Sequence, residues 1–152
     1  MTIIALPETR PPHNLLVEPS VRHALEEDMG RAGDITTDLI IAPETRVTAR
    51  MAARKDGTIA GLIAAECAFR LVDPALSFKV ETPDGSKAAN GQTLATVEGS
   101  ARAILTAERV ALNFTGHLSG VATTTRALVD AAAGTNARIV CTRRTTPGLR
   151  VL

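Results

Sequence analysis

Apolar and polar positions along this chain switch between a helical and a strand period, and the switches mark out the elements. From Ser20, the apolar residues Val21, Ala24, Leu25 and Met29 share one helix face, and Gly30 ends the pattern. Val47, Ala49, Met51 and Ala53 then alternate with Thr48, Arg50, Ala52 and Arg54 until Asp56-Gly57, which predicts a strand. Thr58 to Gly61 offers a short return strand. Leu62, Ile63, Cys67, Phe69 and Leu71 predict a mostly buried helix closed by Asp73-Pro74. Leu76, Phe78 and Val80 alternate again, and Pro83-Asp84-Gly85 and Asn90-Gly91 bracket a polar connection to a further strand, Thr93 to Glu98. Ser100 is placed to N-cap the longest helical run, Ala101 to about Ala133, with a bend or break expected near Gly116 or Gly120. Gly134-Thr135-Asn136 separates that run from a terminal strand, Ala137 to Thr142. Residues 1–13, with Pro7, Pro11 and Pro12, read as an irregular lead-in.

The front two-thirds is therefore α+β, with helices packed on a small, mostly antiparallel sheet and no internal repeat. The long helix and the strand after it begin an α/β unit. A closed barrel of eight such units needs on the order of 200 residues or more, so the remaining residues cannot complete one.

The polar positions carry a second pattern. At about 100° per residue, Arg102, Thr106, Arg109, Asn113 and His117 fall in one narrow sector of the long helix. Ile104, Ala107, Val110, Ala111, Phe114, Leu118 and Val121 fill the opposite side, with Leu105 and Leu112 flanking the sector. The sector lacks the lysines and glutamates of a solvated face, so it should meet a pocket, a partner or a structural polar network. Within it His117 reads as a satisfied structural histidine. Glu26, Glu27 and Asp28 crowd the end of the first helix, where negative charge opposes the helix dipole; either a cation lies nearby or the acids are solvated. Gly30 to Asp38 reads as a shaped, solvated loop.

Charge and composition narrow the function classes. Seventeen basic and sixteen acidic residues leave a formal charge of +1, which supplies no global attraction to nucleic acid or membrane. Three Phe and no Tyr or Trp provide few platforms on which bases could stack. Cys67 and Cys141 lack metal-motif spacing and read as free, buried thiols. Met1 to Pro12 has no basic-then-apolar leader and no segment approaches membrane-spanning length, so a cytoplasmic location is expected.

The candidate chemistry concentrates at the end, Ile139-Val140-Cys141-Thr142-Arg143-Arg144-Thr145-Thr146-Pro147-Gly148-Leu149-Arg150. An apolar strand that delivers two arginines and several hydroxyls to a loop suits an anion, because the guanidinium is a permanently charged planar fork. The competing reading is a surface loop with a basic tail.

Three motifs resemble a known family: Gly33-Asp34-Ile35-Thr36-Thr37; Glu108-Arg109-Val110-Ala111-Leu112-Asn113-Phe114 with His117-Leu118-Ser119-Gly120-Val121-Ala122-Thr123; and Thr142 to Arg150. In that order they are similar to quinolinate phosphoribosyltransferase, the carboxylating nicotinate-nucleotide pyrophosphorylase, over roughly the first half of a family member. The resemblance implies an N-terminal α+β domain, placed at 1–113, and the start of an α/β barrel at 114–152 that this chain does not complete. It implies transfer of ribose 5-phosphate from phosphoribosyl pyrophosphate to quinolinate, with Mg2+ and loss of CO2, in a homodimer whose sites are shared between subunits. It further implies that Arg109, Thr142, Arg143 and Arg144 bind substrate, Arg109 in the partner's site. Arg144 stands where the family usually has lysine, and Cys141 where many members have aspartate. No catalytic or metal-binding residue is assigned within these 152 residues, which alone are expected to be inactive.

Three other readings stay open at this point. One is a related phosphoribosyltransferase-like protein with a different acceptor, such as those associated with molybdate transport genes. Another is a non-catalytic domain that associates through the 101–133 helical region. The last is an anion- or nucleic-acid-binding module built on Arg143, Arg144 and Arg150.

Overall fold

The computed structural model describes residues 11–152; the part of the expected lead-in that falls on residues 1–10 lies outside them. Among the described residues, four helices and five strands run in the order α1 (Asn14–Met29), α2 (Ile35–Ile40), β1 (Arg46–Ala52), β2 (Gly57–Thr58), α3 (Leu62–Val72), β3 (Ser77–Val80), β4 (Lys87–Ala88), β5 (Thr93–Ser100) and α4 (Ala101–Ala131). β5 is the centre of a three-stranded antiparallel sheet, flanked by β1 and β3, while β2 and β4 form a separate two-stranded antiparallel pair.

The helices cover the sheet with the residues that the periodicity singles out. Val17, Val21 and Leu25 of α1, Ala64, Ala65, Ala68 and Phe69 of α3, and Ile104, Ala107, Val110, Ala111 and Phe114 of α4 meet Met51, Leu94, Ala95 and Val97 of the sheet in one core. Phe69 stacks obliquely on Phe78 of β3, ring centroids 5.7 Å apart. The apolar face of α4 is buried only as far as Phe114 and partly at Leu118; Val121, expected inside, is exposed.

Several boundaries differ from expectation for identifiable reasons. α1 begins six residues before Ser20, at Asn14, and carries Pro19 inside it. Pro19 removes one helical hydrogen bond, but Val17 and Val21 on either side are fully buried and hold the turn in place. The Gly30–Asp38 segment is not simply a solvated loop: Asp34 accepts the Thr37 N–H and caps α2, and Thr37 is buried. The polar connection between residues 83 and 91 contains β4, and β2 is a two-residue version of the expected return strand.

α4 shows no break at Gly116 or Gly120. Its Ser119 hydroxyl bonds both the N–H and the carbonyl of Ala60, and its Thr123 hydroxyl accepts the Thr58 N–H, so the helix is tied across the β2–α3 corner on both sides of Gly120. That corner needs Gly61. Its φ is +100°, and a Cβ there would stand 2.9 Å from Leu118 Cδ1 and 3.2 Å from the Phe114 carbonyl oxygen. Asp84 completes the corner by accepting the N–H groups of Gly61 and Leu62 at the start of α3.

The terminal strand expected at Ala137–Thr142 does not form; these residues have no regular structure and are exposed. Val140 is 75% exposed, and among the described residues no strand lies beside this segment to complete a ladder. The chain returns to the domain only at its last residues, where Ser20 of α1 donates to the Gly148 carbonyl and Leu149 and Leu152 pack on the core. Among the described residues, no helix is long and apolar enough to cross a membrane.

Candidate functional site

The polar sector of α4 meets the chain segment 28–41. Arg102 donates to the Asp38 carboxylate and to the Asp38 and Ile41 carbonyls; Thr106, about one turn on, donates to Asp34 Oδ2; Arg109 donates to Asp28 Oδ1 at 2.8 Å. A structural network, one of the options for the polar sector, and a nearby cation, one of the options for the acids ending α1, are thus one arrangement. Asp28, at the wrong end of α1 for its charge, is answered by Arg109. Asp34 is held below the usual carboxylate range, first by its hydrogen bonds from Thr37 and then by the Thr106 hydroxyl and the Arg109 charge.

These contacts are graded along the helix. Arg102 is largely engaged, its side chain 29% exposed, whereas Arg109 is 72% exposed and spends one nitrogen on Asp28. Beyond it, Asn113 lines a cleft of about 310 Å3 with Ala24, Glu27, Asp28, Val110 and Phe114. His117 is exposed and takes part in no hydrogen bond among the described residues, so it is not the satisfied structural histidine expected.

Thr142, Arg143 and Arg144 are also exposed, and among the described residues neither arginine has an ion-pair partner. Arg143 has φ +59°, the only non-glycine residue with positive φ among those described, and its N–H donates to Cys141 Sγ at 3.2 Å. A side chain in that left-handed region costs about 1–2 kcal/mol, so the backbone beneath the two arginines is a strained bend. Cys141 is exposed rather than buried; Cys67 is half-buried, and burial pushes its thiol up, which suits an unreactive free cysteine. Among the described residues, no hydrogen bond links Arg109 to the segment that carries Arg143 and Arg144.

A metal ligand set is not evident: among the described residues no three His, Cys, Asp or Glu side chains converge. The described residues thus supply no ligand set for the Mg2+ that the resemblance implies.

Comparison with known proteins gives this geometry its context. The profile of the quinolinate phosphoribosyl transferase N-terminal domain matches residues 34–119, and that of the C-terminal domain of the same family matches residues 121–152. The nicotinate-nucleotide pyrophosphorylase [carboxylating] of Mycobacterium leprae is 44% identical over 137 residues, 88% of this chain and 48% of the relative. A probable enzyme of the same name from Synechocystis is 42% identical over 146 residues, 96% of this chain and 49% of the relative. Among solved structures, the nicotinate-nucleotide pyrophosphorylase from Francisella tularensis superposes with a TM-score of 0.84 at 32% identity, covering 99% of this chain and 51% of the other. The chain thus spans about half the length of the relatives it matches. With one domain profile matched across its folded body and a second continuing to Leu152, this chain belongs to the quinolinate phosphoribosyltransferase family.

Proposed function

We propose that this chain forms the N-terminal part of an enzyme that transfers the phosphoribosyl group of phosphoribosyl pyrophosphate to quinolinate and releases CO2 and pyrophosphate, giving nicotinate mononucleotide. The observation that supports it best is the pair of family matches running without a significant gap from Asp34 through all of the arginine-bearing motifs. Arg109, Arg143 and Arg144 carry guanidinium groups left largely open to solvent, as the recognition of a dicarboxylate requires. Each charge-assisted hydrogen bond to a carboxylate contributes roughly 1.5–3 kcal/mol, so two or three such groups can fix quinolinate and aim its ring nitrogen.

That orientation is most of what the reaction needs. The nitrogen lone pair bonds to the anomeric carbon as the bond to pyrophosphate breaks. Loss of CO2 then leaves an electron pair on the ring carbon, which takes up a proton. Neighbouring guanidinium charge stabilises that developing negative charge. Arg144, in place of the family's usual lysine, keeps the charge but is no proton donor near neutral pH, so substrate binding should survive the replacement better than turnover does. Thr142 supplies a hydroxyl beside the same carboxylate.

The intact enzyme is proposed to be a homodimer in which Arg109 of one subunit faces the Arg143 loop of the other. Arg109→Ala and Arg143→Ala, each made in the intact enzyme, should lower kcat/KM for quinolinate by about 10- to 100-fold. Mixing the two impaired variants should restore part of the lost activity through mixed dimers. No recovery would sink the shared site, and no nicotinate mononucleotide from the unaltered intact enzyme would overturn the functional reading altogether. The 152-residue chain alone should form no product.

A further inference from the structure

We propose that Asp28 is a positioning residue for Arg109, fixing in advance the side chain that is to receive a substrate carboxylate. The inference rests on the binding role proposed above for Arg109. Within this pair the acid is the more enclosed member, its side chain 23% exposed, and the arginine is the more open one at 72%. Asp28 stands in the last turn of α1, where its charge opposes the helix dipole, so α1 itself has no use for a carboxylate there. The adjacent acids do not duplicate the contact: Asp34 is taken by Thr37 and Thr106, and Asp38 by Arg102.

Only Nη1 of Arg109 meets Asp28. A guanidinium has five N–H donors, so one anchored edge leaves the rest of the fork for a planar anion. Unanchored, a long exposed arginine loses rotational freedom each time it binds; anchored, it has lost that freedom before the ligand arrives. Asp28 therefore tunes affinity for the carboxylate substrate rather than the chemistry that follows.

The test uses steady-state kinetics of the intact enzyme with Asp28→Asn, Asp28→Glu, Arg109→Ala and the Asp28→Asn/Arg109→Ala double variant. Asp28→Asn should raise KM for quinolinate about 3- to 10-fold, with kcat and KM for phosphoribosyl pyrophosphate changed less than about twofold. Asp28→Glu should recover much of the loss, and the double variant should be no worse than Arg109→Ala alone. Thermal midpoints for all four show whether each variant is folded, and Asp28→Glu carries the test if Asp28→Asn is not. A rise in both KM values together, or an Asp28→Asn effect that persists when Arg109 is already gone, overturns the positioning role. If Arg109→Ala raises KM for quinolinate and Asp28→Asn leaves it unchanged, the positioning role alone falls. If Arg109→Ala itself leaves that KM unchanged, the proposed site falls and takes the positioning role with it.

Discussion

Two arginine-bearing regions of this chain are prepared in opposite ways. On α4, Arg102, Thr106 and Arg109 are laced to the 28–41 segment and stand over a packed core that includes Val110 and Phe114. Around Arg143 and Arg144 the backbone has no regular structure, the side chains are exposed, and only Leu149 and Leu152 reach the core. The first region has its geometry supplied from within the domain. The second has a strained bend at Arg143 and little around it to bear on. Arginines of similar chemistry can thus belong to very different stability regimes, and substitution separates them.

The sharpest separation should come at Phe114, beneath the laced region. Phe114→Ala should lower unfolding free energy by about 3–5 kcal/mol in urea denaturation, while Arg143→Ala should stay within about 0.5 kcal/mol. Comparable losses from both would erase the contrast. A smaller effect is expected at Ser100, whose hydroxyl accepts the Ala103 N–H at the start of α4. Ser100→Ala should cost about 1 kcal/mol by the same measurement. The smallest effect is one of pH. Because the folded state lowers the Asp34 pKa below its unfolded value, its contribution is fully present above the ordinary aspartate pKa of about 4 and fades as pH falls through the folded value. Urea midpoints taken from about pH 6 down to about pH 3 should fall less steeply for Asp34→Asn, which keeps a capping side chain but does not titrate. An unchanged slope would show that the Asp34 contacts do not couple to folding.

Much of the fold was legible because its signals are local. The alternation in β1, the Asp73-Pro74 stop of α3 and the Ser100 cap each depend on residues a few positions apart. What was missed depends on distant partners. α2 is six residues long and is held by Arg102 and Thr106 of α4; β4 is two residues long and exists by pairing with β2. Ile139-Val140-Cys141 has the composition of a strand, but composition cannot supply the neighbour that a ladder requires. The polar sector of α4 was visible from spacing, and so was the misplaced charge at the end of α1. Their pairing was not, since 81 residues separate Asp28 from Arg109.

The continuity of α4 through Gly116 and Gly120 has a further consequence for which changes of chain length the protein can absorb. A rod of 31 residues is a ruler about 46 Å long, and it also carries a phase. One residue inserted near Gly116 would turn everything beyond it by about 100° and advance it by about 1.5 Å relative to Arg109. Seven or eleven inserted residues would nearly restore the angle but displace the downstream chain by roughly 10 Å or more. α4 should therefore tolerate exchanges of side chain far better than changes of length.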